Sequence, residues 1–312
     1  MYFNRTISRK LVDALSPGGP FSFLVRYAKT KYLADLQLRG YPHSKRYWAT
    51  LYCGITMVLD VFERYGQFWL KGKSDSLAWD KSWTEGRQLD EWPSAEERLD
   101  KYIDRAIRDV GERFTNEGTI QAMLCTRAGD IFSVIDRETV IGFSNMTERV
   151  TTYARLQGPL RAACPHDPAR TRFVPKEFGG KLDLLAVDPD GRLLAIEVKP
   201  GSATAGITWA PLQATFYAQL LRAWSNEVGQ KSQHILHEML QQRIKLGLTR
   251  DPNRPLKYPL EIVPVVAIGG VPKSLEAIPR LKAVQKALLD VKVGYRSLKV
   301  WQVEDSVIQE IL

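Results

Sequence analysis

Asp183, Glu197 and Lys199 are the residues of this chain whose types and spacing could do chemistry. They lie in the stretch 179–217, GGKLDLLAVDPDGRLLAIEVKPGSATAGITWAPLQATFY. Two carboxylates and one ammonium on a single patch fit hard-cation chemistry, in which oxygen ligands converge on Mg²⁺ or Mn²⁺. The carbonyl of Val198 offers a third oxygen. A divalent ion held there supplies Lewis acidity and a more acidic water. Lys199 then orients the attacking water or stabilises developing charge. A plain ion-pair cluster on an ordinary hairpin is the other reading of the same three residues.

The element that must position them is a β-hairpin. Apolar runs at 181–187 and 193–198 flank Asp188-Pro189-Asp190-Gly191. An Asp-Gly pair between two such runs is a strong hairpin signal. A three-residue loop, Pro189-Asp190-Gly191, sets Asp188 against Arg192 and Asp183 directly across from Glu197. Both carboxylates then project from one face, because strand side chains alternate. Opposed like charges cost roughly 0.2–1 kcal/mol at an exposed site, and more on burial. A bound cation would remove that cost.

Asp183 followed by Glu197-Val198-Lys199 resembles the D…(E/D)xK signature of the PD-(D/E)xK nuclease superfamily. Gln213 and Tyr217 resemble the QxxxY motif of its RecB-like branch, and their spacing puts them on one helix face. The phrase GGKLDLLAVDPDGRLLAIEVK is similar to the nuclease domain of NucS-type endonucleases, with Lys181-Leu182 where many members carry a proline. The resemblance spans about 145–312. It implies a restriction-endonuclease-like fold and a Mg²⁺- or Mn²⁺-dependent endonuclease acting on DNA. Asp183, Glu197 and the Val198 carbonyl would hold the metal. Lys199, Gln213 and Tyr217 would complete the site. A further acid from the first helix is expected, and Glu148 takes that place ahead of Glu177. Two alternatives stay open: a non-catalytic nucleic-acid-binding or assembly module on the same scaffold, and a defence effector nuclease gated by a partner or ligand.

The 312 residues carry a net charge of +9, and residues 1–73 hold 12 Lys or Arg against 4 acids. Such a segment binds phosphates through counterion release. Arg26, Lys29, Lys31, Arg39, Lys45 and Arg46 are its candidate contacts. Phe21, Phe23, Tyr27, Tyr32, Tyr41, Tyr47, Trp48 and Tyr52 interleave with them as stacking candidates or as a core. Nucleic acid is the expected partner, with a homo-oligomer or partner protein also open. Three widely spaced cysteines and no apolar run of membrane length point to a reducing cytoplasm and no membrane.

The pattern predicts an α/β protein, a mixed central sheet flanked by helices, preceded by a basic α+β region at 1–144. Strands are expected at 56–62 and 67–70 around a tight turn, then a loop at 72–93 anchored by Trp79, Trp83 and Trp92. A helix at 94–114 follows from the Ser94…Glu97 capping box. Strands are read at 120–126, 131–135 and 139–143, with Asp136-Arg137-Glu138 as a turn. From 145 the order is a helix to about 157, a strand at 172–175, the hairpin, helices at 211–224 and 230–246, a strand at 261–268, a helix at 274–289 and a strand at 298–303. His234, His237 and Glu238 are a weaker zinc candidate on a helix face, and Cys164-Pro165-His166 a weaker nucleophile.

Overall fold

A computed structural model describes residues 1–31, 33–72, 87–88, 100–105, 108, 116–127, 131–164, 178–252, 255–304 and 307–312. The tryptophans at 79, 83 and 92, the capping box at 94, the strand at 172–175, His166 and Glu177 lie outside them. The fold is α/β, with one antiparallel and one mixed sheet flanked by helices. Two compact units are present. One comprises Asn4–Gly129 and Glu238–Asp251, the other Met1–Phe3, Asp130–His237 and Pro252–Leu312.

The first unit opens with α1 (Arg9–Leu15) and α2 (Ser22–Thr30). Ser8 caps α1 by accepting the Leu11 amide. Five strands follow in order: β1 (Ala34–Tyr41), β2 (Arg46–Cys53), β3 (Thr56–Arg64), β4 (Gln67–Gly72) and β5 (Arg87–Gln88). All pairings are antiparallel. The expected β3–β4 hairpin forms, with Tyr65 and Gly66 both at positive φ, as a tight two-residue turn requires. Leu36, Leu51, Leu59, Val61 and Leu70 alternate onto one face. There they bury against Leu11, Leu15, Phe21 and Leu24.

Residues 120–126 are not a strand. They belong to α3 (Asn116–Arg127). Gly118 lets this helix close on the neighbouring chain, since a Cβ there would lie 2.9 Å from the Ile55 nitrogen. Ile120, Ala122, Leu124 and Cys125 are buried. That packing overrides the β propensity of Ile120 and Thr126.

The second unit holds a six-stranded sheet in the order β11-β10-β9-β8-β7-β6. Its first strand, β6 (Ser133–Thr139), precedes residue 145 and pairs antiparallel with β7. The strand expected at 131–135 begins β6, but the one expected at 139–143 does not form beyond Thr139, where Gly142 makes only an isolated bridge to Tyr2, and Asp136-Arg137 is no turn. Both residues are buried, and Asp136 accepts the Thr139 hydroxyl at 2.9 Å. A bulge between Val134 and Asp136 and a positive φ at Glu138 absorb the irregularity.

Next come α4 (Met146–Ala162), β7 (Leu182–Val187), β8 (Leu193–Pro200) and α5 (Thr204–Val228). Asn145 caps α4 as expected, but the helix runs on past Pro159. Pro211, expected to open α5, lies inside it. The chain continues through α6 (Lys231–Lys245), whose residues are shared between the two units, and β9 (Ile262–Gly269). It ends with α7 (Ala277–Asp290), β10 (Lys299–Glu304) and β11 (Val307–Glu310), the last unforeseen in the sequence. β8, β9 and β10 run parallel, and the other pairings are antiparallel. Ile207, Ala210 and Ala214 of α5 pack with Val266 and Ile268 of β9. This anchors α5 against the strands that carry the candidate residues. No described helix is long and apolar enough to cross a membrane.

Candidate active site

The β7–β8 register pairs Leu184 with Ile196 and Val187 with Leu193. Gly191 takes φ +79°, and Asp188 and Arg192 close the three-residue loop through the Asp188 amide and the Arg192 carbonyl. The same count sets Asp183 opposite Glu197, where the backbone ladder has just ended. In its place, the Asp183 carboxylate accepts the Val198 amide at 2.7 Å.

The peptide groups of β8 serve its two neighbours alternately. The Leu193 amide donates to Glu261 on the β9 side, so the peptide groups of Ile196 and Val198 face β7. The Val198 carbonyl therefore turns to the edge where Asp183 lies.

Glu197 is buried at 3% exposure, whereas Asp183 is half-buried. Lys199 follows two residues on and donates to Glu197 at 2.6 Å. This pair is largely removed from water, so losing one member leaves an uncompensated charge. The lysine stem lies along α5. A Cβ on Gly206 would come within 3.2 Å of its Cδ.

Gln213 and Tyr217 share one face of α5. Gln213 donates to the Phe178 carbonyl at 3.4 Å. The Tyr217 phenol is pushed well above its ordinary value, first by burial and then by the charges of Glu197 and Asp183. It is thus a neutral hydroxyl within electrostatic reach of both carboxylates. Gly179, at φ +85°, closes this corner. A Cβ there would sit 3.1 Å from the Tyr217 hydroxyl and 3.9 Å from the Gln213 amide nitrogen.

Asp183, Glu197, Val198, Lys199, Gln213 and Tyr217 are therefore brought to one locality. Glu148 is not brought to it. Its carboxylate accepts the Met1 amino group at 2.9 Å and the Ser144 amide at 2.7 Å. Those partners hold it below the usual carboxylate range, the Met1 ammonium foremost. Glu227 also pairs with Met1. Among the described residues no three His, Cys, Asp or Glu gather as a metal-sized group. His234 and His237 are exposed on α6, and Cys164 is buried.

The six basic candidates separate. Arg39 is buried at 5%, with its guanidinium over the Tyr52 ring. It is a packing residue and not a solvent-facing cation. Lys31 pairs with Asp104 at 2.6 Å. Arg26 and Lys29 are exposed on α2, Lys45 and Arg46 at the β1–β2 turn. The register also joins Phe62, Arg64 and Trp69, which the linear sequence did not single out, to Trp48 and Arg46. Phe62 pairs with Trp48 on one side and Trp69 on the other, a row of three rings across one face. Arg46 and Arg64 follow two residues on, on that same face. Tyr41, Arg46, Trp48, Phe62 and Arg64 line an open pocket of about 660 Å³. Period-two alternation in β2 and β3 was the available signal; the cross-strand register was not.

Comparison with models of known families, with curated proteins and with solved structures finds no match to this chain.

Proposed function

We propose that the chain is a metal-dependent nuclease with a restriction-endonuclease-like core, cleaving phosphodiester bonds of nucleic acid, DNA by resemblance. The observation that carries this reading is the end of the β7–β8 ladder. There Asp183, held by the Val198 amide, faces Glu197 beside Lys199. The donor set is all oxygen: two carboxylates and the Val198 carbonyl. That composition fits Mg²⁺ or Mn²⁺ and not a softer metal.

When bound, the ion would polarise the phosphate and lower the pKa of its water. The chain's own residues do the rest. Asp183 is oriented by its amide bond, and Glu197 is held by Lys199. The Lys199 ammonium, released toward substrate, orients the nucleophile or meets charge on the phosphate. Tyr217 stays protonated, so it can donate a hydrogen bond but takes no proton. The Trp48–Phe62–Trp69 row, edged by Arg46 and Arg64, supports contact with a nucleic-acid strand through stacking and phosphate neutralisation.

One observation favours a second reading. Lys199 neutralises Glu197 directly at 2.6 Å, as a non-catalytic binding scaffold would require. Incubating wild type and Lys199→Ala with plasmid, linear and single-stranded DNA, in Mg²⁺, Mn²⁺ or EDTA, separates the two. The nuclease reading expects metal-dependent cleavage by wild type alone. Binding without cleavage in either metal overturns it.

A further inference from the structure

A pocket of about 320 Å³ opens in the second unit where α4 begins, lined by Phe143, Asn145, Met146, Arg149, Tyr153 and Gly180 among others. Its size is at the lower end of the range for small-molecule sites, roughly 300–1,000 Å³. No sequence motif singled it out, and none of the residues assigned above lines it.

The pocket adjoins the candidate active site. Gly180 is three residues from Asp183, and a Cβ on it would meet no heavy atom within 4 Å. A narrow cleft shares Ile141 and Gly180 with the pocket and reaches Tyr217. Tyr153 and Tyr217 also feel one another electrostatically. Tyr217 thus lines the cleft that shares residues with this pocket and also feels the charges of Glu197 and Asp183.

The lining has the chemistry of a planar, polar ring. Tyr153 is fixed by edge-to-face contacts with Phe143 at 5.7 Å and Phe216 at 5.1 Å. The Arg149 guanidinium lies over the Tyr153 ring, 5.3 Å from its centre, and lines the pocket beside it. Guanidinium planes and aromatic rings are the surfaces on which unpaired bases stack. Met146, 67% exposed, adds a polarisable apolar wall. The Asn145 carbonyl oxygen is engaged by the Glu148 amide, which leaves its two N–H donors for the edge of a ring. The exposed Arg149 gives the lining positive charge.

We infer that this pocket, on the nuclease reading above, is a subsite for an unstacked nucleobase of the nucleotide adjoining the scissile phosphate. A base still stacked in a duplex cannot enter it. The site therefore favours a strand whose bases are free at the point of cutting.

The test has a binding arm and a cleavage arm. Adenosine 5′-monophosphate is titrated without metal into the full chain and into Arg149→Gln and Phe143→Leu. Both variants are first checked for an unchanged melting temperature. Binding about tenfold weaker in both variants is expected, the worth of roughly one stacked base. In the second arm, wild type with Mn²⁺ cuts single-stranded oligonucleotides in which one abasic position is moved stepwise along the strand. Cleavage should fall about tenfold when the missing base adjoins the cut bond. If the nucleotide binds the variants as well as wild type, or abasic position leaves cleavage unchanged, the subsite is refuted while the nuclease stands. Variant-sensitive binding without cleavage in either metal keeps the pocket and refutes the nuclease.

Discussion

The carboxylate of Asp183 accepts the backbone amide of Val198 at 2.7 Å, where a strand carbonyl would otherwise have been the acceptor. The bond fixes the orientation of the carboxylate at the strand edge. It also means that substituting Asp183 touches the sheet as well as the chemistry. Asp183→Asn can still accept from Val198, because its amide has a carbonyl oxygen. We expect this variant to keep its melting temperature within a few degrees and to lose at least about 10²-fold in metal-dependent cleavage. Glu197→Gln should lose as much. Cleavage near the wild-type rate in either variant would remove the carboxylates from the mechanism.

On the nuclease reading, Lys199 and a divalent ion would compete for Glu197. Lys199→Met keeps the apolar stem along Gly206 and removes the ammonium. Calorimetric titration with Mn²⁺ should therefore show tighter binding in this variant, while cleavage falls on the order of 10²-fold. Weaker metal binding would mean that Lys199 helps to build the metal site instead of screening it.

Tyr217 links the site to alkaline stability. Burial, Glu197 and Asp183 all raise its phenol above the ordinary value of 10.0. The folded form keeps its proton where the unfolded form loses it. The contribution is whole below about pH 10 and shrinks as pH rises further. Melting temperatures between pH 8 and 11 should fall less steeply in Tyr217→Phe than in wild type. Parallel curves would contradict the buried, charge-facing phenol.

Glu148 makes a contrasting prediction. Its pKa is lowered by the Met1 amino group and the Ser144 amide. The stability it contributes is present above its ordinary value of 4.5 and lost as pH falls through the lower folded value. Glu148→Gln should flatten the acid limb of the stability curve and leave Mn²⁺ affinity and cleavage unchanged. A tenfold loss of metal affinity would place Glu148 in the site after all.

The basic residues divide by what surrounds them. Arg46→Gln with Arg64→Gln should leave folding intact and reduce the salt slope of single-strand binding by about 0.7 for each phosphate that is no longer neutralised. Trp48→Ala should weaken binding by roughly 1–3 kcal/mol with little change in that slope. Arg39→Ala should lower the melting temperature instead, since the side chain is buried. Fluorescence titrations at several salt concentrations, beside thermal melts, distinguish the three.

The hairpin was legible because its turn is local. Asp190-Gly191 dictates the loop, the loop dictates the register, and the register puts Asp183 across from Glu197. The parallel strand β9 was legible as a continuous apolar run suited to a sheet centre. The polar triplet Asp136-Arg137-Glu138 was not. It reads as a turn until Thr139 and the sheet supply partners that no local rule anticipates. Residues 120–126 read as a strand because their helical packing depends on Gly118 meeting Ile55, far away in the chain. Glu148 was placed by analogy of position, and its partner Met1 is 147 residues away. The aromatic row on β2–β4 needed three strands in register before it existed at all.

Gly179 places a limit on sequence change beside the candidate site. It has no functional group, yet any substituent on it presses against the Tyr217 hydroxyl and starts from an unfavourable backbone angle. One methyl at this position disturbs the Tyr217 corner while every candidate side chain stays in the chain. A lineage that had filled this position would have to move the tyrosine away from the two carboxylates.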